Sequence, residues 1–166
     1  MDRKVVIIPT YNEKENIEAI IRKVFSLDGE YNVLIIDDGS PDGTATIVKR
    51  LQEEFPDKLF MIERSGKLGL GTAYLTGFKW ALEHGYDYIF EMDADFSHNP
   101  EDLPRLLRPV AEGRADMSVG SRYCDRINVV NWPISRILMS YCASIYVRTV
   151  LGFRIYDSTA GFVCYS

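Results

Sequence analysis

The stretch VLIIDDGS at residues 33–40 places four apolar residues directly before a polar turn, and this arrangement decides the fold class. A short run that is apolar at every position is typical of a strand buried on both faces of a parallel sheet. Apolar runs also precede polar residues at 5–13 and 88–95, and a shorter strand-like segment precedes them at 116–122. Because segments with helical periodicity separate these runs, we predict an α/β fold with a Rossmann-like, mainly parallel sheet and helices on both faces.

Local signals predict where several elements begin and end. Pro9 is expected to stop the first strand, and Asp42 or Thr44 is expected to cap the second helix. Gly85 follows a helix-period segment and is expected to end it. Residues 135–151 are predicted to be helical. Packing of this helix on the sheet is favoured over an amphipathic helix lying on a membrane surface.

Length and composition narrow the class of protein. A chain of 166 residues is predicted to form one domain spanning 1–166. The net charge of −5 argues against binding a polyanion, so no nucleic-acid partner is expected. Three cysteines without CxxC spacing argue against a disulfide framework or a zinc site, and they favour a reducing, cytoplasmic compartment. No signal peptide is expected, and the longest nearly uncharged stretch, 137–147, is too short to span a bilayer.

An acid pair follows the predicted strand at 88–92. Parallel α/β sheets bind ligands at the carboxyl ends of their strands, so this pair falls where a ligand is expected. Asp93 and Asp95 flank the small residue Ala94, and this spacing lets both carboxylates approach one hard cation. Such a pair can equally form a turn or cap a helix. Its position after a buried strand is what favours a metal site.

Three further residues at the ends of predicted strands or helices are candidates for ligand binding. Asp38 can accept hydrogen bonds from a ribose or a base edge, whereas turn formation explains the residues after it. Lys67 lies in GKLGLGT (66–72) before a predicted helix N-terminus, a place that favours anions, although the glycines could equally serve close packing. Arg122 follows the fifth predicted strand, and arginine is suited to bidentate phosphate binding.

Seven stretches, in their order along the chain, carry a family resemblance. They are PTYNE (9–13), IDDGSPDGT (36–44), KLGLGTAY (67–74), MDADFSH (92–98), GSRY (120–123), NWP (131–133) and TAGF (159–162). Together they resemble the family-2 glycosyltransferases with a GT-A fold, and most closely the polyprenol-phosphate (dolichol-phosphate) mannosyltransferases. The second and third stretches are the most specific to that branch.

The resemblance implies a donor half, residues 1–95, that binds a nucleotide sugar, with GDP-mannose favoured. The residues implied to bind this donor are Pro9, Tyr11, Glu13, Asp38, Lys67, Asp93, Ala94 and Asp95. The implied cofactor is Mg²⁺ or Mn²⁺, held by Asp93 and Asp95 with Ser97 close by.

The resemblance also implies an acceptor half, residues 96–166, that binds a polyprenyl phosphate. Arg122, Arg136 and Ser140 would hold the acceptor phosphate, and the implied catalytic residues are Asp93, Asp95 and Arg122. A phosphate monoester is largely ionised near neutral pH because its second pKa is about 6. An inverting, in-line displacement by this nucleophile therefore needs no strong general base. A lipid acceptor implies a peripheral location at the cytoplasmic face of a membrane.

Two departures from the family pattern and two alternative functions stand beside this interpretation. Residues 124–128 replace a glycine-rich turn common in the family. Family catalytic domains also run well beyond the equivalent of Phe162, so a further C-terminal segment or a membrane-anchoring partner is expected.

One alternative function is a transferase that uses another donor, such as UDP-glucose, on a lipid phosphate or a glycan, with Asp157 as the candidate base for a hydroxyl acceptor. The other is a nucleotide-sugar-binding module without catalysis.

Overall fold

The computed structural model describes residues 2–121, 134–152, 157 and 159–166, and in the last helix it describes the side chains of 138–150. The strands are β1 (Lys4–Thr10), β2 (Tyr31–Asp37), β3 (Leu59–Glu63), β4 (Tyr88–Glu91), β5 (Met117–Val119) and β6 (Val163–Tyr165). The helices are α1 (Ile17–Phe25), α2 (Thr44–Glu54), α3 (Leu70–Glu83), α4 (Leu103–Ala111) and α5 (Ile134–Leu151), with a 3₁₀ turn at Pro100–Asp102. The prediction for Arg122 lies outside the described residues, as does the side chain of Arg136.

Within the described residues, six strands form one sheet in the order β3-β2-β1-β4-β6-β5. The first four of these run parallel, which confirms the mainly parallel sheet. β1 pairs with β2 along its whole length, from Lys4 opposite Tyr31 to Thr10 opposite Asp37. The last residues of the parallel strands therefore share one border of the sheet, here called the carboxyl edge: Thr10, Asp37, Glu63 and Glu91.

Pro9 lies inside β1, so the expectation that it stops the strand is wrong. The Thr10 carbonyl accepts a hydrogen bond from Asp38 N on the β2 side, and the Ile7 carbonyl accepts one from Met92 N on the β4 side. Because the backbone groups of alternate residues face opposite neighbours, Pro9 faces β4. Its missing N–H ends the pairing with β4 and leaves the pairing with β2 intact.

The sequence pattern does not predict β6, which runs antiparallel between β4 and β5. Its register places Val163 opposite both Glu91 and Val119. The Phe162 carbonyl accepts a hydrogen bond from Gly120 N at 2.8 Å. The start of β6 therefore meets the ends of β4 and β5 at the carboxyl edge. A strand of three residues is too short to show a period of its own.

Alternate residues of the central strand enter two cores, one on each face of the sheet. Val6 and Ile8 pack with α1, α2 and α4, whereas Val5 and Ile7 pack with α3. The prediction that helices cover both faces of the sheet is therefore confirmed. The inward face of α1 is completely buried, and each aliphatic side chain so buried contributes about 1.5–3 kcal/mol. The buried side chains of this face of α1 are Ile17, Ile20, Ile21 and Val24.

The observed caps correct one expected boundary and confirm another. The N-cap of α2 is Gly43, whose φ of +92° lies in the left-handed region that favours glycine. Asp42 instead accepts hydrogen bonds at Oδ1 from Thr44 N at 3.0 Å and from Thr44 Oγ1 at 2.6 Å, so neither residue occupies the N-cap position. Gly85 has a φ of +67° and follows α3, as predicted.

α5 leaves most of its described apolar side chains exposed. Leu138, Met139, Tyr146 and Val150 are each more than half exposed. Among the side chains described in this helix, only Ser144 is buried, so the expected packing against the sheet is slight. The described part of the chain contains no helix with both the length and the apolarity needed to cross a bilayer.

Candidate active site

The first acid at the end of β2 is committed to the turn that follows. Asp37 is buried, and its Oδ1 accepts hydrogen bonds from Thr10 Oγ1 at 2.9 Å and from Ser40 Oγ at 2.6 Å. Its Oδ2 accepts a third from Ser40 N at 2.9 Å. These bonds tie the ends of β1 and β2 to the turn. Asp37 is therefore structural, and Asp38 is the acid that remains for other partners.

Asp38 forms an ion pair with Arg64, a residue that the sequence interpretation missed. Asp38 Oδ1 lies 2.5 Å from both Nε and Nη2 of Arg64, and both side chains are 8% exposed. Arg64 directly follows β3, so its position after a strand end is the signal that could have identified it. Removing either charge would leave the other buried without its partner, which makes the pair a fixed element of the carboxyl edge.

The same arginine anchors the glycine-rich loop at residues 66–69. Arg64 donates to Thr72 Oγ1 at 2.8 Å and to the Gly69 carbonyl at 3.2 Å, and Asp38 Oδ2 accepts from Leu68 N at 3.2 Å. The loop is thereby fixed in front of the N-terminus of α3. Its Lys67 ammonium lies 4.5 Å from the centroid of the Tyr11 ring. The structure therefore brings together two residues predicted to bind the nucleotide sugar.

Glu13 lies in the loop after β1, and its contacts join this loop to the start of α2. Glu13 N donates to Thr44 Oγ1 at 3.1 Å, and Glu13 Oε2 accepts from Asn16 Nδ2 at 3.3 Å. Burial raises the pKa of Glu13, and the charges of Asp95 and Asp42 raise it further, against the opposing effect of the Asn16 hydrogen bond.

Asp93 and Asp95 differ in their surroundings although they share one turn. Asp93 is half-buried, and its Oδ1 accepts a hydrogen bond from the Tyr74 hydroxyl at 3.2 Å. Asp95 is exposed, and its Oδ1 accepts from Ser97 N at 2.9 Å. Ala94 between them is buried. Burial, followed by the charge of Asp93, also raises the pKa of Glu91 at the end of β4.

The donor set at this turn fits a divalent cation that is shared with a ligand. Asp93 and Asp95 supply carboxylate oxygens, which are the hard ligands that a divalent cation prefers. In the described part of the chain, no cluster of three or more His, Cys, Asp or Glu side chains could hold a metal by itself. Mg²⁺ typically binds through one or two carboxylates plus substrate phosphates, so this arrangement suits a metal–diphosphate complex.

The loop before β6 connects α5 to the acid pair. Ser140 Oγ on α5 lies 2.8 Å from Thr159 Oγ1, which in turn donates to Asp157 Oδ1 at 3.2 Å. Two residues further on, a Cβ built on Gly161 would lie 2.9 Å from Asp93 Oδ2. Asp157 is 1% exposed and also accepts from Thr159 N, so its carboxylate organises this loop. The predicted acceptor residue Ser140 is thus linked to the end of β4 through one short segment.

Similarity to known proteins agrees with this geometry. Residues 5–165 match the model of the family described as "Glycosyl transferase family 2". The chain belongs to this family. A polyprenol monophosphomannose synthase from Mycolicibacterium smegmatis is 47% identical over 163 residues, which cover 98% of the chain. The chain spans 61% of the length of that relative.

Solved structures of other glycosyltransferases share the fold, and the mixed α/β sheet matches the GT-A architecture. A mannosyltransferase from Pyrobaculum calidifontis, in complex with GDP-Man and Mn²⁺, superposes with a TM-score of 0.59 at 30% identity. That match covers 69% of this chain and 34% of the other. Glucosyl-3-phosphoglycerate synthase from Mycobacterium tuberculosis, in complex with UDP, gives a TM-score of 0.69 at 21% identity and covers 99% of this chain and 57% of its own. The predicted GT-A fold is therefore confirmed.

Proposed function

We propose that this chain forms the donor site of an inverting, metal-dependent glycosyltransferase that moves mannose from GDP-mannose to a polyprenyl phosphate. The observation that carries the proposal is the position of Asp93 and Asp95 at the end of β4. They lie on the edge that also holds Glu13, the Asp38–Arg64 pair and the Lys67 loop. The identity with a polyprenol monophosphomannose synthase supports this choice of sugar and acceptor.

The nucleotide binds along the carboxyl edge of β1 and β2. Pro9, Tyr11 and Glu13 contact the base, with Asp38 beside them. Lys67 supplies a positive charge in front of the N-terminus of α3, where backbone N–H groups also favour a phosphate. The cation–π contact between Lys67 and Tyr11 keeps this charge close to the base-binding loop.

The diphosphate and its metal bind at Asp93, Ala94 and Asp95, with Ser97 beside them. Either Mn²⁺ or Mg²⁺ suits two carboxylates, and the complex of the Pyrobaculum calidifontis enzyme with GDP-Man and Mn²⁺ supports a divalent ion. When bound, the metal stabilises the negative charge that develops on the departing nucleoside diphosphate. The two aspartates orient that diphosphate, and the Lys67 loop excludes water from its other side.

The acceptor phosphate binds at Arg122, Arg136 and Ser140. Its own ionised oxygen is the nucleophile, so the protein contributes positioning and positive charge rather than a base. Ser140 on α5 supports this assignment because it contacts Thr159, which belongs to the segment that reaches Asp93. The lipid tail of the acceptor places the reaction at the cytoplasmic face of a membrane, where the protein acts peripherally.

A ligand panel tests the donor assignment. We expect GDP and GDP-mannose with Mn²⁺ to raise the thermal stability of the protein more than UDP and UDP-glucose do. A ligand at a hundredfold excess over its Kd stabilises the fold by about 2.7 kcal/mol. Asp95→Ala should abolish the metal-dependent part of this shift, whereas Asp28→Ala, an exposed acid on the loop after α1, should not. A larger shift with UDP-glucose would overturn the GDP-mannose assignment.

A transfer assay tests catalysis in the protein that carries this chain. Labelled mannose should move from GDP-mannose to a polyprenyl phosphate in the presence of Mn²⁺ or Mg²⁺. Metal-dependent binding without any transfer would indicate a nucleotide-sugar-binding module. Transfer to a glycan hydroxyl would require a general base, and it would contradict the phosphate acceptor.

A further inference from the structure

We propose that Tyr74 and Gly161 are positioning residues that hold the Asp93 carboxylate in the orientation needed to bind the metal and diphosphate. The inference rests on the proposed function, since it concerns how that site is prepared. Both residues lie in stretches that carry the family resemblance, KLGLGTAY and TAGF, but the function proposed above uses neither of them.

Tyr74 holds one oxygen of the carboxylate. Its hydroxyl donates to Asp93 Oδ1 at 3.2 Å, and the side chain is 8% exposed within the core between α3 and the sheet. The tyrosine hydroxyl is the donor of this hydrogen bond, and the Asp93 carboxylate is the acceptor. Because the ring is packed in the core, the direction of this hydrogen bond is fixed.

Gly161 limits the carboxylate at its other oxygen. A Cβ at this position would lie 2.9 Å from Asp93 Oδ2 and 3.4 Å from Asp93 Cγ, so only a glycine leaves room for the observed orientation. The backbone at Gly161 is itself held in place, because the next residue accepts a hydrogen bond from Gly120 N at 2.8 Å. The side chain of Asp93 therefore lies between a fixed donor and a fixed stretch of backbone.

Such a carboxylate is prepared for metal binding before the metal arrives. Partners that orient a metal ligand typically change metal affinity or activity by about 10–100-fold when they are removed. A ligand already held in one orientation loses little freedom on binding. Tyr74 also lies on α3, whose N-terminus follows the Lys67 loop. The same helix therefore fixes the position of this loop relative to the Asp93 carboxylate.

The test is titration calorimetry of Mn²⁺ binding in the presence of GDP, with GDP binding in EDTA as the second measurement. Tyr74→Phe removes only the hydroxyl. We expect the Mn²⁺ affinity to fall about 10–100-fold, while the GDP affinity in EDTA keeps its wild-type value. Tyr86→Phe is the matched control, because Tyr86 is 7% exposed and its hydroxyl accepts from Asn32 Nδ2 at 2.7 Å near the opposite border of the sheet.

Gly161→Ala tests the second contact without removing any hydrogen bond. The added methyl group meets the end of a flexible side chain, so rotation of the Asp93 carboxylate relieves the clash and the fold survives. We expect the same selective loss of Mn²⁺ affinity. Wild-type Mn²⁺ affinity in both Tyr74→Phe and Gly161→Ala would overturn the positioning role alone, and so would an equal loss in Tyr86→Phe. If the wild-type protein bound GDP equally tightly with Mn²⁺ and in EDTA, the metal site and the positioning role would both be overturned.

Discussion

At the scale of single residues, the acids of the carboxyl edge divide into those that are bound to other parts of the protein and those that remain exposed. Asp37 accepts three hydrogen bonds from its own turn and from β1. Asp38 is paired with Arg64, whereas Asp95 is exposed beside Ser97. The negative charge of this edge is therefore partly compensated inside the protein, and the remainder is concentrated near the end of β4.

Arg64 is expected to contribute strongly to stability because it compensates a buried charge. Arg64→Ala leaves the Asp38 carboxylate buried without its cation, and loss of one partner of a buried pair typically costs about 3–5 kcal/mol. Adding Asp38→Asn to this variant should recover part of the loss. The measurement is the free energy of unfolding in urea.

Lys49→Ala provides the control for this prediction. Lys49 forms an ion pair with Glu63 at 2.7 Å, but both side chains are about half exposed. Exposed pairs contribute about 0–1 kcal/mol, so the variant should remain close to wild type. Equal losses for Arg64→Ala and Lys49→Ala would show that the Asp38–Arg64 pair is not buried in the way that its contacts indicate.

At the scale of elements, α3 determines how the site is assembled. The Arg64-anchored loop precedes its first turn, Tyr74 extends from its second turn to Asp93, and Gly77 faces β1. A Cβ at Gly77 would lie 2.6 Å from Ile7 Cγ2 and 2.9 Å from Ile7 Cδ1. The absence of a side chain at this position therefore sets the distance between the helix and the central strand.

Gly77→Ala is expected to destabilise the protein even though alanine is the better helix former. The gain in helix propensity is about 1 kcal/mol. The methyl group would have to displace Ile7, which is fully buried in β1, and overpacking of this kind costs about 1–3 kcal/mol and can exceed that gain. Gly71→Ala is the control on the same helix, because nothing lies within 4 Å of a Cβ there. Urea unfolding should show a loss for the first variant and a gain for the second, and a gain for both would contradict the close packing of α3 on β1.

At the scale of the whole molecule, the antiparallel strand β6 joins the two predicted halves. It lies between β4 from the donor half and β5 from the acceptor half. The segment before it carries Thr159, which contacts Ser140 on α5, and Gly161, which lies against Asp93. One short piece of chain therefore connects the predicted acceptor-binding helix with the predicted metal ligand.

The acceptor prediction belongs to this scale because it separates donor binding from transfer. In the protein that carries this chain, Arg122→Ala and Arg136→Ala should leave GDP-mannose affinity nearly unchanged and should weaken transfer to polyprenyl phosphate. Loss of a charge-assisted hydrogen bond costs about 1.5–3 kcal/mol, or roughly ten- to a hundredfold in acceptor affinity. Lysine at either position should restore only part of the activity, because a point charge cannot replace a bidentate guanidinium. Normal transfer by the double alanine variant would contradict the assignment.

The sequence by itself determined the alternation of strands and helices and the range of α5, but not the antiparallel strand β6. Apolar runs identified β1, β2 and β4, and Gly85 identified the end of α3. The strand ends, and with them the placement of Asp38 and Asp95 on one edge, followed from the rule that parallel strands end together. These features depend on neighbouring residues and on the periods of helices and strands, which can be read along the chain.

Only the tertiary structure decided which residues of the site hold one another. The Asp38–Arg64 pair joins positions 26 apart, Tyr74 reaches Asp93 across 19 positions, and Gly161 meets Asp93 through a strand of three residues that has no pattern of its own. Pro9 likewise appeared to be a strand terminator until its backbone was seen to face the neighbour whose pairing it ends. Each outcome depends on the distance and direction at which separate elements pack. Those distances are set only in the folded protein, where the sheet, α3 and the loop before β6 lie next to the same carboxylates.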